Sequence, residues 1–414
     1  LLRTMDLSDL EDELEELDRM FQNQLDLLRF AAPTHPADEK AKRVYSLPLS
    51  VGGCGILSYR EIRPFARHAS QQASRVVLRH MGMNHLLVDD GIAAAEPQPQ
   101  HLLVKKHFMD HALPLFLNTL SDDERIAFLD NGSKCGTAWI HAQPWRSGYH
   151  SLTDDQVATA LNIRCLQSDV LRRDVCPHCM NDNSVLHFES CRHRRNADTR
   201  QHRHDCVRDV LIKAIRSQGR MVQCEPPINN NNNNHNNHQR ADISVGAAAG
   251  VHGLDARYGL MDLTIKIPLA VDAAHARARA LNPPPPLDPD GDPNLAPDLN
   301  IIPDPNPNPN DNDNDNNPDR DAPDEDDQPD PRRLGWAQIE ATLEFAAREK
   351  RNHYAPLGAH QEVLPIVMTS GGTLHKDAHK LLKDMFPCSI VRSRVRIDIS
   401  LALVRGRAKA YSLQ

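Results

Sequence analysis

Two low-complexity tracts constrain this chain more than any other feature. Residues 283–331 run as dense Pro, Asp and Asn, and residues 229–238 are nearly pure Asn broken by His235 and His238. Neither has an apolar period that could offset the entropy of ordering a backbone, about 1–2 kcal/mol per residue. Both read as disordered insertions. With them set aside, the flanking sequence alternates between helix and strand patterns. The order is helix 206–218, strands near 221–225, 240–245 and 258–267, helix 336–352, strand 363–369 and helix 375–385, the pattern of a modest α/β sandwich. Asp205 reads as the N-cap of the first of these helices and Gly219 as its stop.

The acidic insert also hides the charge of the rest. The 414 residues hold 56 acids and 48 Lys plus Arg, a net of −8. Fifteen of the acids and one base, Arg320, lie in 282–331, which leaves 41 acids against 47 bases elsewhere, a net of +6. A mildly basic foldable part permits a nucleic-acid partner. No apolar run approaches the roughly 20 residues that span a bilayer, which speaks against a membrane partner. The lack of a signal peptide pattern and the odd count of nine cysteines argue for reduced, intracellular thiols. A first residue of Leu1 reads as a fragment or a processed chain.

The N-terminal part is helical in pattern. Ser8 with Glu11 fits a capping box, and Leu7, Leu10, Leu14, Leu17, Phe21 and Leu28 follow a heptad-like spacing suited to packing on a partner helix. Helical pattern continues from Val51 to about Leu120 after the Gly-rich Val51-Gly52-Gly53-Cys54-Gly55, and returns over 154–166. The expected organisation is α+β and multidomain. It comprises a mostly helical region over 1–150, a linker with a small zinc knuckle over 151–205, and an α/β domain over 206–414 interrupted by both tracts.

The knuckle is Cys176, Cys179, His187 and Cys191, spaced Cys-x2-Cys-x7-His-x3-Cys. Three thiolates and one imidazole make a closed tetrahedral set for structural Zn²⁺. His178 and His193 remain open as substitutes for His187. A basic run follows, including Arg192, Arg194, Arg195, Arg203 and His204, which reads either as a solvated linker or as a phosphate contact.

A second constellation is carboxylic. Strand alternation puts Ala241, Ile243 and Val245 on a core face and Asp242 on the other. It likewise puts Leu263, Ile265 and Ile267 inward, and Asp262, Thr264 and Lys266 opposite. Two neighbouring acids of this kind suit Mg²⁺, with Glu225 as a candidate third. On helix 336–352 the inward stripe Trp336, Ile339, Leu343, Ala346 and Ala347 continues to Lys350 and Tyr354. Lys350 either snorkels to the surface or aims at a catalytic phosphate. Leu87-Val88-Asp89-Asp90 lacks the surroundings of a polymerase palm, and the sequon Asn131-Gly132-Ser133 carries no meaning without a secretory signal.

Taken together, these residues resemble the carboxy-terminal half of site-specific non-LTR retrotransposon polyproteins that carry a restriction-like endonuclease. The resemblance runs from about Leu47 to Ser393. Leu47-Pro48-Leu49-Ser50-Val51-Gly52-Gly53-Cys54-Gly55-Ile56 is similar to a segment found after the reverse-transcriptase palm, toward the thumb. Cys176, Cys179, His187 and Cys191 match the family's CCHC knuckle, and Arg203-His204-Asp205 its Arg-His-Asn/Asp segment. Arg240-Ala241-Asp242, Asp262 and Lys350 to Tyr354 fall where the family has Lys/Arg-Pro-Asp, the next acid and Lys-x-x-x-Tyr. The resemblance implies a PD-(D/E)xK nuclease whose lysine has moved onto a helix, Thr264 standing where the strand lysine would be. Ala241 replaces the usual proline, and the polymerase palm is absent, so no DNA synthesis is expected.

The expected function is a Mg²⁺-dependent endonuclease that nicks nuclear target DNA for target-primed reverse transcription, with element RNA as a further partner and no small-molecule substrate. Asp242 and Asp262 would hold Mg²⁺, Glu225 would complete the shell, and Lys350 would act on the water or phosphate. Arg192, Arg194, Arg195, Arg203, His204 and Tyr354 would bind nucleic acid. Two alternatives stand beside it: a catalytically dead zinc-knuckle remnant that still binds nucleic acid, and an interaction protein working through its N-terminal helix.

Overall fold

The computed structural model describes residues 10–29, 38–83, 99–144, 150–167, 194–226, 241–246, 260–268, 331–355 and 363–412, the side chains of 194–197, 331 and 412 excepted. Ser8, the knuckle residues Cys176, Cys179, His187 and Cys191, Leu87 to Asp90, Arg192, the Asn tract and the insert over 282–330 lie outside them, as do the side chains of Arg194 and Arg195.

Helices dominate the first part of the chain: α1 (Glu11–Leu28), α2 (Glu39–Ser46), α3 (Tyr59–His80), α4 (Gln100–His107), α5 (Leu113–Asn118), α6 (Asp122–Asn131) and α7 (Asp154–Arg164). A π-turn over Phe108–Ala112 joins α4 to α5. Local sequence explains several starts. Ser121 with Glu124 and Thr153 with Gln156 close reciprocal capping boxes on α6 and α7, and Asp38 caps α2 by accepting from the Ala41 amide at 2.7 Å. The expected box on α1 involves Ser8 and so lies outside the described residues. Within them Leu10 is the N-cap, without a side-chain hydrogen bond, and Glu11 reaches Arg60 and Arg63 of α3.

The sheet follows: α8 (Arg194–Ser217), β1 (Met221–Cys224), β2 (Ile243–Gly246), β3 (Leu260–Lys266), α9 (Pro331–Tyr354), β4 (Val363–Thr369), α10 (Lys376–Met385) and α11 (Ser389–Ser412). The strand order is β1-β2-β3-β4, antiparallel except for the parallel β3–β4 pair, whose crossover contains α9. This is an α+β arrangement, mostly helical, with a small mixed sheet. Leu263, Ile366 and Met368 turn toward α8, α10 and α11, where Val207, Leu211, Ile215, Leu382 and Ile399 complete one apolar cluster. Val367 turns the other way, onto Ile339, Leu343, Ala346 and Ala347 of α9. The far side of α9 joins the N-terminal helices through Phe108, Phe116, Phe128 and Leu129. Gly335 permits that approach, because a Cβ there would stand 2.4 Å from Leu129 Cδ1.

Helix α8 starts at least eleven residues before the expected point, so Asp205 lies inside it and caps nothing. The reason is tertiary. Helix α11 runs against α8, closest at Gly406, where an added Cβ would sit 2.7 Å from Arg203 Cβ. Packing over that length outweighs the weak propensity of the basic His/Arg/Asp run.

A buried polar knot joins the helical part to the sheet. Asp130, at the end of α6, accepts from the amides of Gly371 (2.9 Å) and Thr373 (3.3 Å) and from the hydroxyls of Thr369 and Thr373, all in the turn after β4. Asn131 beside it accepts from Arg407 of α11 at 2.8 Å. Asn131 is buried, so the sequon asparagine serves the interior.

Candidate active site

The site forms where β2 and β3 part. Their ladder covers only Ile243 with Met261 and Ser244 with Leu260, which leaves the backbone of Leu263 without a strand partner on that side. Two side chains replace the strand. Asp242 accepts from the Leu263 amide at 2.6 Å, and His204 of α8 donates from Nε2 to the Leu263 carbonyl at 3.1 Å. The same Nε2 lies 3.2 Å from Asp242 Oδ2, and Nδ1 lies 3.3 Å from Asp205 Oδ1. Buried backbone groups need partners, and here the need brings acid and imidazole to one point.

Asp242 therefore lies just ahead of β2 rather than in it. Ala241 does not share the core face of Ile243; it packs with Tyr354 and Val363 on the α9 side. The expected alternation fails by one residue because the chain bends before the ladder begins. Asp262 behaves as its strand phase predicts and turns toward α9, where it is 5 % exposed. Lys350 Nζ stands 2.6 Å from Asp262 Oδ2, so the lysine at the end of the apolar stripe turns onto the acid and not to bulk water.

Charge in the cluster is divided unevenly. Burial raises the Asp262 carboxyl to about 6; Lys350 opposes that rise and the neighbouring Asp242 adds to it. Burial works against ionisation of Asp242 as well, but His204, a hydrogen bond from Asp262 and the Leu263 amide hold it below the usual carboxylate range. His204 is disfavoured as a cation by burial, yet Asp242 and Asp205 leave it raised overall. Burial and the two acids push the Tyr354 phenol up. The two aspartates thus form a coupled pair in which Asp262 takes up a proton before Asp242 as the pH falls.

This has a measurable consequence. Because Asp262 titrates above its ordinary 3.8 in the folded chain, the native state binds that proton more tightly than the unfolded state. Its contribution to stability is full below about pH 4 and is lost as the pH rises through about 6. In the presence of a chelator, Asp262→Asn should gain on the native protein by roughly 2–3 kcal/mol between about pH 4 and pH 7. Parallel urea titrations read the difference; a gap that does not change with pH would contradict the raised value.

Glu225 does not join the pair. It adopts a left-handed φ of +49°, its amide donates to the Asp242 carbonyl at 3.0 Å, and its carboxylate takes Arg208 Nη1 at 2.8 Å. Tyr354 and Arg203 are buried rather than presented to solvent. His204, read from sequence as a phosphate contact, instead braces an acid 38 positions away, and no local signal announces this.

A cleft of about 550 Å³ opens beside the cluster; Arg200, His204, Lys266, Glu349, Lys350 and His353 are among its lining, while Asp242 and Asp262 lie behind it. A larger groove, about 840 Å³, lies between α3 and α4, but its walls are mostly apolar and it carries none of the acids. Among the described residues no group of three or more His, Cys, Asp or Glu side chains is arranged to hold a metal ion. Two carboxylates brought to one point still suit Mg²⁺, which takes one or two protein carboxylates and fills its octahedron with water and phosphate oxygens. No helix among the described residues is long and apolar enough to cross a membrane. No protein-family model matches the chain, and no curated protein matches it.

Proposed function

We propose that this chain carries a Mg²⁺-dependent DNA endonuclease, as part of a retrotransposon reverse-transcriptase polyprotein that nicks nuclear target DNA to prime reverse transcription. The observation that supports it is the meeting of Asp262 on β3, Lys350 on α9 and Asp242 just ahead of β2, beside a cleft that Lys350 lines. Clustered acids with displaced titration beside a cation are typical of catalytic sites. Asp242 and Asp262 are the residues that would hold Mg²⁺, which when bound supplies charge neutralisation at the phosphate and an activated water. His204 keeps Asp242 ionised and oriented. Lys350 carries the positive charge that stabilises the phosphate as negative charge builds on it. Arg200, Lys266 and His353 line the path of the nucleic-acid backbone. Nicking of supercoiled plasmid by the full chain in Mg²⁺, abolished by chelator, tests this reading.

One observation favours the second reading, a binding remnant without catalysis: Glu225 is engaged with Arg208, and among the described residues no third acid completes the set. Retained DNA binding with no Mg²⁺-dependent nicking would select it. The zinc knuckle belongs to both readings. The purified chain is expected to carry a single tightly held Zn²⁺, lost in Cys176→Ser; elemental analysis finding no zinc in the folded chain would remove the knuckle.

A further inference from the structure

Away from the acids, two cysteines 111 residues apart bring their sulfurs to 4.0 Å: Cys54 in the glycine-rich turn after α2, and Cys165 at the C-terminal end of α7. Cys165 is fully buried and Cys54 half-buried. Beside them lies Arg164, 2 % exposed. Its guanidinium donates to the carbonyls of Gly53 (2.6 and 3.0 Å), Asn131 (3.0 Å) and Leu49 (3.4 Å). All of these partners are neutral, so a buried cation sits beside the two thiols without a carboxylate among the described residues to balance it. A thiolate is the remaining group that can supply the negative charge.

We propose that Cys54 and Cys165 are a peroxide-responsive dithiol that closes to an intramolecular disulfide. The roles follow from position. Cys54 is the more exposed of the two, and the hydrogen bond from Cys165, acting against burial and with help from Arg164, draws its thiol down. Burial raises the Cys165 thiol, which keeps its proton until the second step. The Cys54 thiolate attacks one oxygen of hydrogen peroxide; the O–O bond breaks, and hydroxide leaves and is protonated to water. Cys54 is then a sulfenic acid. The Cys165 sulfur attacks the Cys54 sulfur, the S–O bond breaks, and the departing hydroxide takes the Cys165 proton as a second water. Two thiols have lost two electrons and two protons, and one peroxide has become two waters. The sulfurs must close to about 2 Å. The Cys54 backbone is held by its amide donating to the Val44 carbonyl at 2.9 Å, so the closure falls to side-chain rotation and a small shift of the two chains.

Mapping after differential alkylation tests this on the full chain. Treatment with hydrogen peroxide should remove alkylation at both Cys54 and Cys165 and yield one cross-linked peptide pair, two hydrogen masses lighter, that dithiothreitol reverses. In Cys165→Ser, Cys54 should stop at a sulfenic acid captured by dimedone. In Cys54→Ser, Cys165 should remain a free thiol, which keeps the test decisive if the first variant fails to fold. Persistent alkylation of both residues at peroxide levels that oxidise the exposed Cys388 would overturn the proposal, as would Cys54 paired with any other cysteine.

Discussion

Asp262→Asn is expected to abolish Mg²⁺-dependent nicking while leaving DNA affinity within about threefold of the native chain, because backbone phosphate contacts supply most of the binding. The substitution keeps the shape of the side chain and removes the charge. It leaves Lys350 Nζ, 2.6 Å from the native Oδ2, facing a neutral amide, and it deprives the proposed metal position of one of its two carboxylates. A loss of at least about 10³-fold in rate, on the order of 4 kcal/mol of barrier, is expected for so central a charge. Lys350→Ala should lose less, about 10²-fold, since it removes a stabilising charge but not the metal's ligand. Asp242→Asn should lose activity too. It also disturbs the Leu263 amide, whose 2.6 Å hydrogen bond to Asp242 holds β3 at the site. Undiminished cleavage by Asp262→Asn would retire the nuclease reading and leave the binding reading in its place. The thermal midpoint of the Asn variant should be checked alongside, so that loss of activity is not confused with loss of fold.

The largest effect on stability is expected at Asp130, far from any of these acids in sequence. Asp130→Ala leaves the buried Gly371 amide and the Thr373 hydroxyl without their acceptor and weakens the holding of the Thr369 hydroxyl, whereas the Thr373 amide keeps Thr369 Oγ1 at 2.8 Å. Each stranded donor costs about 1–3 kcal/mol, and partial relaxation or entry of water brings the expected total to about 3–4 kcal/mol. Asp130→Asn should cost clearly less. Burial raises the Asp130 carboxyl against the pull of its hydrogen bonds, and in the Asn variant an amide oxygen still accepts. Urea midpoints at unchanged slope measure both variants. A cost for Asp130→Ala below about 1 kcal/mol would show that the turn after β4 finds other partners. The knot also explains the glycines of that turn. A Cβ at Gly371 would stand 2.5 Å from the Asp130 carboxylate, and one at Gly372, whose φ is +102°, would meet the Gly136 amide at 2.7 Å.

Elements whose pattern shows on one face are legible in the sequence. Strand β4 occupies the span that its apolar run predicts, and β3, α9 and α10 lie within a few residues of expectation. Periodicity puts Lys350 on the inward stripe and Asp262 on the strand face opposite the core, and the structure decides between the two directions open to the lysine by pairing it with Asp262. Helix α11 shows the limit. Val395, Ile397, Ile399, Leu401 and Leu403 alternate as a strand would, yet they form a helix. The helix packs on both α8 and α7 and is buried almost all round from Ile399 to Ala408, and burial on every side leaves no single-face period to read.

What the sequence determines by itself is local: the capping boxes of α6 and α7, the glycine stop after α8, the strand runs, and the face on which Asp262 and Lys350 lie. Three features were decided only by the tertiary structure. The early start of α8, the turning of Glu225 to Arg208 and the docking of His204 on Asp242 each depend on groups at least 17 positions apart. The physical reason is common to all three. Buried backbone and charged groups must find partners, and which partner lies within reach is set by how β2 parts from β3 and how α11 packs on α8, neither of which is written in any single stretch of residues.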